Sequence, residues 1–178
     1  MLNLMWVGEV ISGLSFRLQN NDRRLRVIMD KFVTDNQKQT QTLDQPIQAQ
    51  GEKKNTGPTV LFVEDDSLLL KMYKTKFESE GFNVISALDG EEGLNAAIGQ
   101  KVDLIILDIM MPRLSGLDML GKYRQDAKGK NVPVIILTNL TREEEMKRAK
   151  ELGVREFIVK ADYTPSEVVR KIKDYLGK

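Results

Sequence analysis

The chain has 178 residues, enough for one domain of ordinary size plus an additional segment. Its 27 Lys and Arg balance 26 Asp and Glu, so no bulk charge points to nucleic acid or an anionic membrane. With no cysteine and no histidine, the chain excludes disulfides, thiolate catalysis, an imidazole base and histidine- or cysteine-bound metal. Any metal must sit on oxygen, which means Mg²⁺, Mn²⁺ or Ca²⁺.

In chain order, "MLNLMWVGEVISGLSF" is apolar but too short, and too interrupted by Gly8, Glu9 and Gly13, for a membrane span. It lacks the basic start and small-residue cleavage site of a secretory signal, and a reducing cytoplasm is the expected location. "DRRLRVIMDKF" sets Leu25, Ile28, Met29 and Phe32 at helical spacing beside Arg23, Arg24, Arg26 and Lys31. Two readings stay open: a short amphipathic docking or membrane-surface helix, or an undocked tail whose true start is Met29. Residues 34–58 hold six glutamines and almost nothing to bury, the composition of a disordered linker. Residues 1–58 are thus expected to be tail and linker, mostly disordered, and 59–178 the folded domain.

From Thr59 the pattern alternates. "TVLFVED" reads as a strand, and "SLLLKMYKTKFESEG" as a helix with Leu69, Met72, Tyr73 and Phe77 on one face. "FNVISA" is a strand, "GEEGLNAAIG" a helix and "VDLIILD" a fully apolar strand. "GLDMLGKYRQDAKG" is a helix with a stripe through Leu117, Leu120 and Tyr123, followed by the strand "VPVIILT". "REEEMKRAKELG" is a helix, "REFIVK" a strand and "PSEVVRKIKDYLG" a last helix with Val168, Ile172 and Tyr175 inward. Five βα units in 120 residues imply an α/β domain, a five-stranded doubly wound parallel sheet with helices on both faces. The apolar runs 102–107 and 132–137 suit central strands buried on both sides.

Ligands of open α/β sheets bind beyond the carboxyl ends of the strands. The first strand ends on Glu64-Asp65-Asp66, the third on Asp108, the fourth on Thr138 and the fifth on Lys160, while the second ends on Ser86-Ala87. Singly, each has a plain reading: Asp66 or Ser67 as a helix cap, Thr138 as another, Lys160 as a solvated lysine. Together they bring carboxylates, a hydroxyl and an ammonium to one rim. Crowded carboxylates raise a pKa or share a cation, and an all-oxygen set suits Mg²⁺. Metal and lysine beside an acceptor are the equipment of phosphoryl transfer.

These residues resemble the receiver domain of bacterial two-component response regulators. The resemblance rests on Glu64-Asp65 after an apolar strand, on Thr138 and Lys160, and on a complete D-x-x-M-P-x-x-x-G signature at Asp108, Met111, Pro112 and Gly116. The intervals agree: 43 residues from Asp65 to Asp108, 30 to Thr138 and 22 more to Lys160. It covers 59–178 and implies a flavodoxin-like strand order 2-1-3-4-5. It also implies that Asp108 is the phosphoacceptor, and that Asp65, Asp108 and the Met110 carbonyl ligate Mg²⁺ with Glu64 acting through water. Lys160 would pair with the phosphate, Thr138 would hydrogen-bond to it, and Phe157 occupies the aromatic switch position. The run Glu64-Asp65-Asp66 permits a one-residue shift, and strand phase and spacing favour Glu64-Asp65.

One departure is visible, since the family often has a cis proline after the lysine and Ala161 stands here. The implied partners are a sensor histidine kinase or histidine phosphotransfer protein and an unidentified downstream protein, with no nucleic acid and no membrane span. No output domain is legible, so the expectation is a stand-alone receiver that dephosphorylates itself but turns over no substrate. Two other classes compete. A haloacid-dehalogenase-type phosphatase wants a second acid where Met110 stands, and an FMN-binding flavodoxin-like protein wants a Ser/Thr/Gly phosphate loop where "EDDSLLL" is acidic.

Overall fold

The computed structural model describes residues 57–176. The amphipathic stretch 22–32, the Met29 start and nearly all of the linker expected over 34–58 lie outside the described residues. Within them the chain runs β1 (Thr59–Val63), α1 (Ser67–Ser79), β2 (Asn83–Ala87), α2 (Gly90–Gly99) and β3 (Leu104–Leu107). It continues as α3 (Gly116–Gln125), β4 (Val134–Thr138), α4 (Glu143–Glu151), β5 (Glu156–Val159), a 3₁₀ turn (Lys160–Asp162) and α5 (Pro165–Tyr175). All strand pairs are parallel and the sheet order is β2-β1-β3-β4-β5.

The order follows from burial. Every residue of β3 and β4, and all of β1 after Thr59, is buried, as strands covered by helices on both faces must be. On one face Phe62 stacks on Tyr73 of α1 with centroids 5.0 Å apart, and Phe77 meets Phe62 and Phe82 edge-on. On the other, Leu61, Val63, Ile105, Leu107 and Ile136 pack against Leu117, Leu120 and Tyr123 of α3.

Helix ends obey local chemistry. Asp66 caps α1, accepting from the N–H groups of Leu68 (2.9 Å) and Leu69 (3.2 Å), and Gly81 leaves the helix at φ +91°. Thr164 and Glu167 form a reciprocal capping box at α5, with Pro165 at its first position. The helix expected over 116–129 instead stops at Gln125. Asp126 accepts from the Lys128 N–H at 2.8 Å, and this local turn competes with continued helix.

The strand expected to end on Lys160 stops at Val159, where the backbone tightens into the 3₁₀ turn. Tyr175, expected inward, is 38% exposed on the last residue of α5, while Val168, Val169 and Ile172 carry the buried face. Among the described residues, no helix is long and apolar enough to cross a membrane.

Candidate functional site

In a parallel sheet all strands point their carboxyl ends to one side, so the residues that follow β1, β3, β4 and β5 share a rim. There Asp108, 7% exposed, is the hub. Its Oδ1 accepts from the Thr138 hydroxyl at 2.6 Å and the Met110 N–H at 3.1 Å, and its Oδ2 accepts from Lys160 Nζ at 2.6 Å. Lys160 also pairs with buried Glu64, whose other oxygen accepts from the Asp66 N–H at 3.4 Å. Asp65 is exposed at the mouth.

The charges do not balance. Carboxylate oxygens of Glu64, Asp65 and Asp108 lie within 4.8 Å of one another, facing one ammonium. Burial pushes Glu64 up to about 7, with Asp108 and Asp65 adding to the rise and Lys160 opposing it. Burial and the neighbouring Asp108 also raise Asp65 above the usual aspartate range. Burial by itself would lower Lys160, but Glu64 and Asp108 outweigh it and hold the ammonium above the ordinary lysine value. A dication matches this surplus, and three hard oxygen donors with one side open to water suit Mg²⁺, which keeps several waters.

The structure brings Glu64, Asp65, Asp108, Thr138 and Lys160 together as the sequence suggests. Asp66 is set apart by its role as the α1 cap, and the carboxylates of the acidic run that cluster with Asp108 are Glu64 and Asp65. The Met110 side chain points outward, 52% exposed, while its backbone adjoins Asp108. Phe157 sits on β5 opposite Ile136, partly buried against the core. No peptide bond in the described residues is cis, the one between Lys160 and Ala161 included. The Ala161 N–H, which a proline would lack, donates to Asn139 Oδ1 at 3.1 Å and ties the β4 and β5 loops.

Sequence reasoning missed that tie, and also the ion pair of Arg113 with Asp89. Asp89 caps α2 through the N–H groups of Glu91 and Glu92, a pattern that "DGEE" advertises. Arg113, at φ +66° in the loop after Asp108, carries no comparable signal. The glycine that ends the signature has a steric cause: a Cβ on Gly116 would collide with the carbonyl of Asp108.

Comparison with known proteins agrees with this geometry. The profile of the response regulator receiver domain matches residues 60–173. The transcriptional regulatory protein CpxR of Klebsiella pneumoniae is 38% identical over 119 residues, 67% of this chain and 49% of CpxR. The chain thus spans about half the length of that regulator. The polar-differentiation response regulator DivK of Brucella anthropi is 31% identical over 67% of this chain and 96% of its own length. The response regulator TrrA of Thermotoga maritima, solved in complex with Mg(2+)-BeF, superposes with a TM-score of 0.59 at 30% identity, covering 66% of this chain and 98% of TrrA. The rim, this sheet order and a family match over residues 60–173 lead to one conclusion: the chain belongs to the response regulator receiver domains, the phosphorylation-activated modules of two-component signal transduction.

Proposed function

We propose that Asp108 accepts a phosphoryl group from a phosphohistidine on a sensor histidine kinase or histidine phosphotransfer protein. The observation that carries this reading is the pair of donors on one buried carboxylate, Thr138 on Oδ1 and Lys160 on Oδ2. An Asp108 oxygen forms the new bond to phosphorus as the bond to the partner's imidazole nitrogen breaks. Lys160, held charged between Glu64 and Asp108, lies where it can neutralise the developing negative charge. Asp65, Asp108 and the Met110 carbonyl would hold Mg²⁺, with Glu64 acting through water. That ion supplies charge neutralisation at the transferring oxygens.

The new phosphate draws the Thr138 hydroxyl and, with Phe157, shifts the face made by α4, β5 and α5 toward binding a downstream protein. Helix α4 buries only Ala149, which makes it the lightly anchored part of that face. Return to the resting state is by hydrolysis of the aspartyl phosphate, and no other substrate is turned over. The module works in the cytoplasm, with residues 59–178 as receiver and 1–58 as tail and linker. TrrA, solved with Mg(2+)-BeF, is a relative that supports the metal and the anion at this rim.

The test is mass spectrometry after acetyl phosphate and Mg²⁺ treatment. One phosphoryl group is expected on the wild-type chain and none on Asp108→Asn, and stoichiometric labelling of that variant would overturn the assignment.

A further inference from the structure

At the opposite end of the sheet lies a second concave site that the phosphoacceptor chemistry does not use. A cavity of about 330 Å³ opens beside the amino-terminal ends of β4 and β5. Val132 precedes β4 and Thr138 closes it, which separates this cavity from Asp108's rim by roughly 20 Å at the usual rise per residue. Its floor is apolar, formed by Val132 and Val154, both packed against the core. Its walls carry Arg124, Lys130, Asn131 and Arg155, and no carboxylate lines it among the described residues.

The cationic groups fall into two kinds. Arg124 is built in: its guanidinium donates to the carbonyls of Leu152 (2.9 Å), Val132 (2.9 Å) and Gly129. These bonds join the end of α4 to the loop after α3. The bond to Leu152 also meets, from inside the protein, the negative end of the α4 dipole that would otherwise repel an anion. Lys130 and Arg155 are exposed, and neither side chain has an ion pair or hydrogen bond among the described residues. Burial presses the Arg124 guanidinium below its ordinary range, with Tyr123 opposing and the charge of nearby Arg155 adding to the fall. Lys171, the other cation outside the Asp108 rim whose value is shifted among the described residues, has its carboxylate in Glu156.

We propose that this cavity binds a small organic phosphate, its phosphate group held by Lys130 and Arg155 and its organic part lying on Val132 and Val154. The volume is at the lower end of small-ligand pockets, and a cationic rim over an apolar floor is the division of labour such a ligand needs. A bare inorganic anion would leave the valine floor unused. This site is independent of the reading of Asp108.

The experiment is an amide NMR titration of the whole 178-residue chain with adenosine 5′-monophosphate and with ribose 5-phosphate, using adenosine and sodium chloride of equal ionic strength as controls. At least one phosphate should move the amides of Lys130, Val132, Val154 and Arg155, and neither control should. The double variant Lys130→Glu/Arg155→Glu should weaken that binding by about tenfold or more while still taking one phosphoryl group from acetyl phosphate. Lys130→Gln/Arg155→Gln serves if the charge reversal alters folding. Silence with both phosphates, equal shifts with sodium chloride, shifts confined to the Asp108 rim, or binding that survives the variants would each overturn the proposal.

Discussion

Lys160 Nζ lies 2.6 Å from Asp108 Oδ2 and also pairs with Glu64, so one ammonium holds together the ends of three strands. Removing one member of a buried charge cluster leaves the others uncompensated, at about 3 kcal/mol or more. Lys160→Ala should therefore lower stability by that order, and Mg²⁺ should restore part of it by binding the folded state. Thermal melting of wild type and variant, with and without Mg²⁺, checks this. A larger Mg²⁺-induced rise in the wild type would contradict it.

Asp65 and Asp66 are neighbours with different duties. Asp66→Ala should cost about 1 kcal/mol, the usual worth of a helix cap, and leave Mg²⁺ affinity unchanged. Asp65→Asn should do the reverse, weakening Mg²⁺ by about tenfold with little change in melting. Calorimetric titration alongside denaturation separates the two, and an exchange of effects would mean that the metal uses the other carboxylate.

Asp89 gives the domain an acid limit. The N–H groups of Glu92 and Glu91, then Arg113, hold its carboxyl below the usual aspartate range. A carboxyl depressed in the folded state stabilises at pH above its unfolded value of about 3.9, and that contribution is lost as pH falls through the lower folded value. Asp89→Asn keeps a capping side chain but removes the titration. Its stability should decline less steeply below about pH 4 than that of the wild type. Parallel acid-denaturation curves would show the contribution to be absent.

Tyr73 is buried beneath Phe62, and its hydroxyl has no hydrogen-bond partner among the described residues. Burial, with Glu64 nearby, pushes that phenol well above the normal tyrosine range. Tyr73→Phe keeps the ring stacking and removes an unpaired polar atom, so it should stabilise by about 1 kcal/mol. Urea unfolding at constant m-value reads the change directly.

The rim was legible because each of its strands runs apolar and then stops on a polar residue, a break that burial on both faces makes conspicuous. Thr138 and Lys160 mean little singly, and the order of the βα units places them beside Asp108. What stayed hidden depends on backbone from one loop crossing another. The Asn139–Ala161 bond spans 22 residues and the Arg113–Asp89 pair spans 24, without a periodic pattern to mark either. Helix ends slipped where a side chain competed locally, as Asp126 does after α3. Tyr175 matched the helical period but stands at the last residue of α5, beyond the buried face that Val168, Val169 and Ile172 carry.

The ion pair between Glu64 and Lys160 closes a separation of 96 residues, its ammonium supplied by the turn that follows β5, the last strand among the described residues. During synthesis Glu64, Asp65 and Asp108 all precede their common counter-charge. A chain with β5 undocked holds three acidic groups and lacks the Lys160 ammonium that pairs with Glu64 and Asp108. On the proposed reading of Asp108 as phosphoacceptor, phosphorylation would require the completed sheet, and a nascent or partly unfolded copy is expected to intercept little signal.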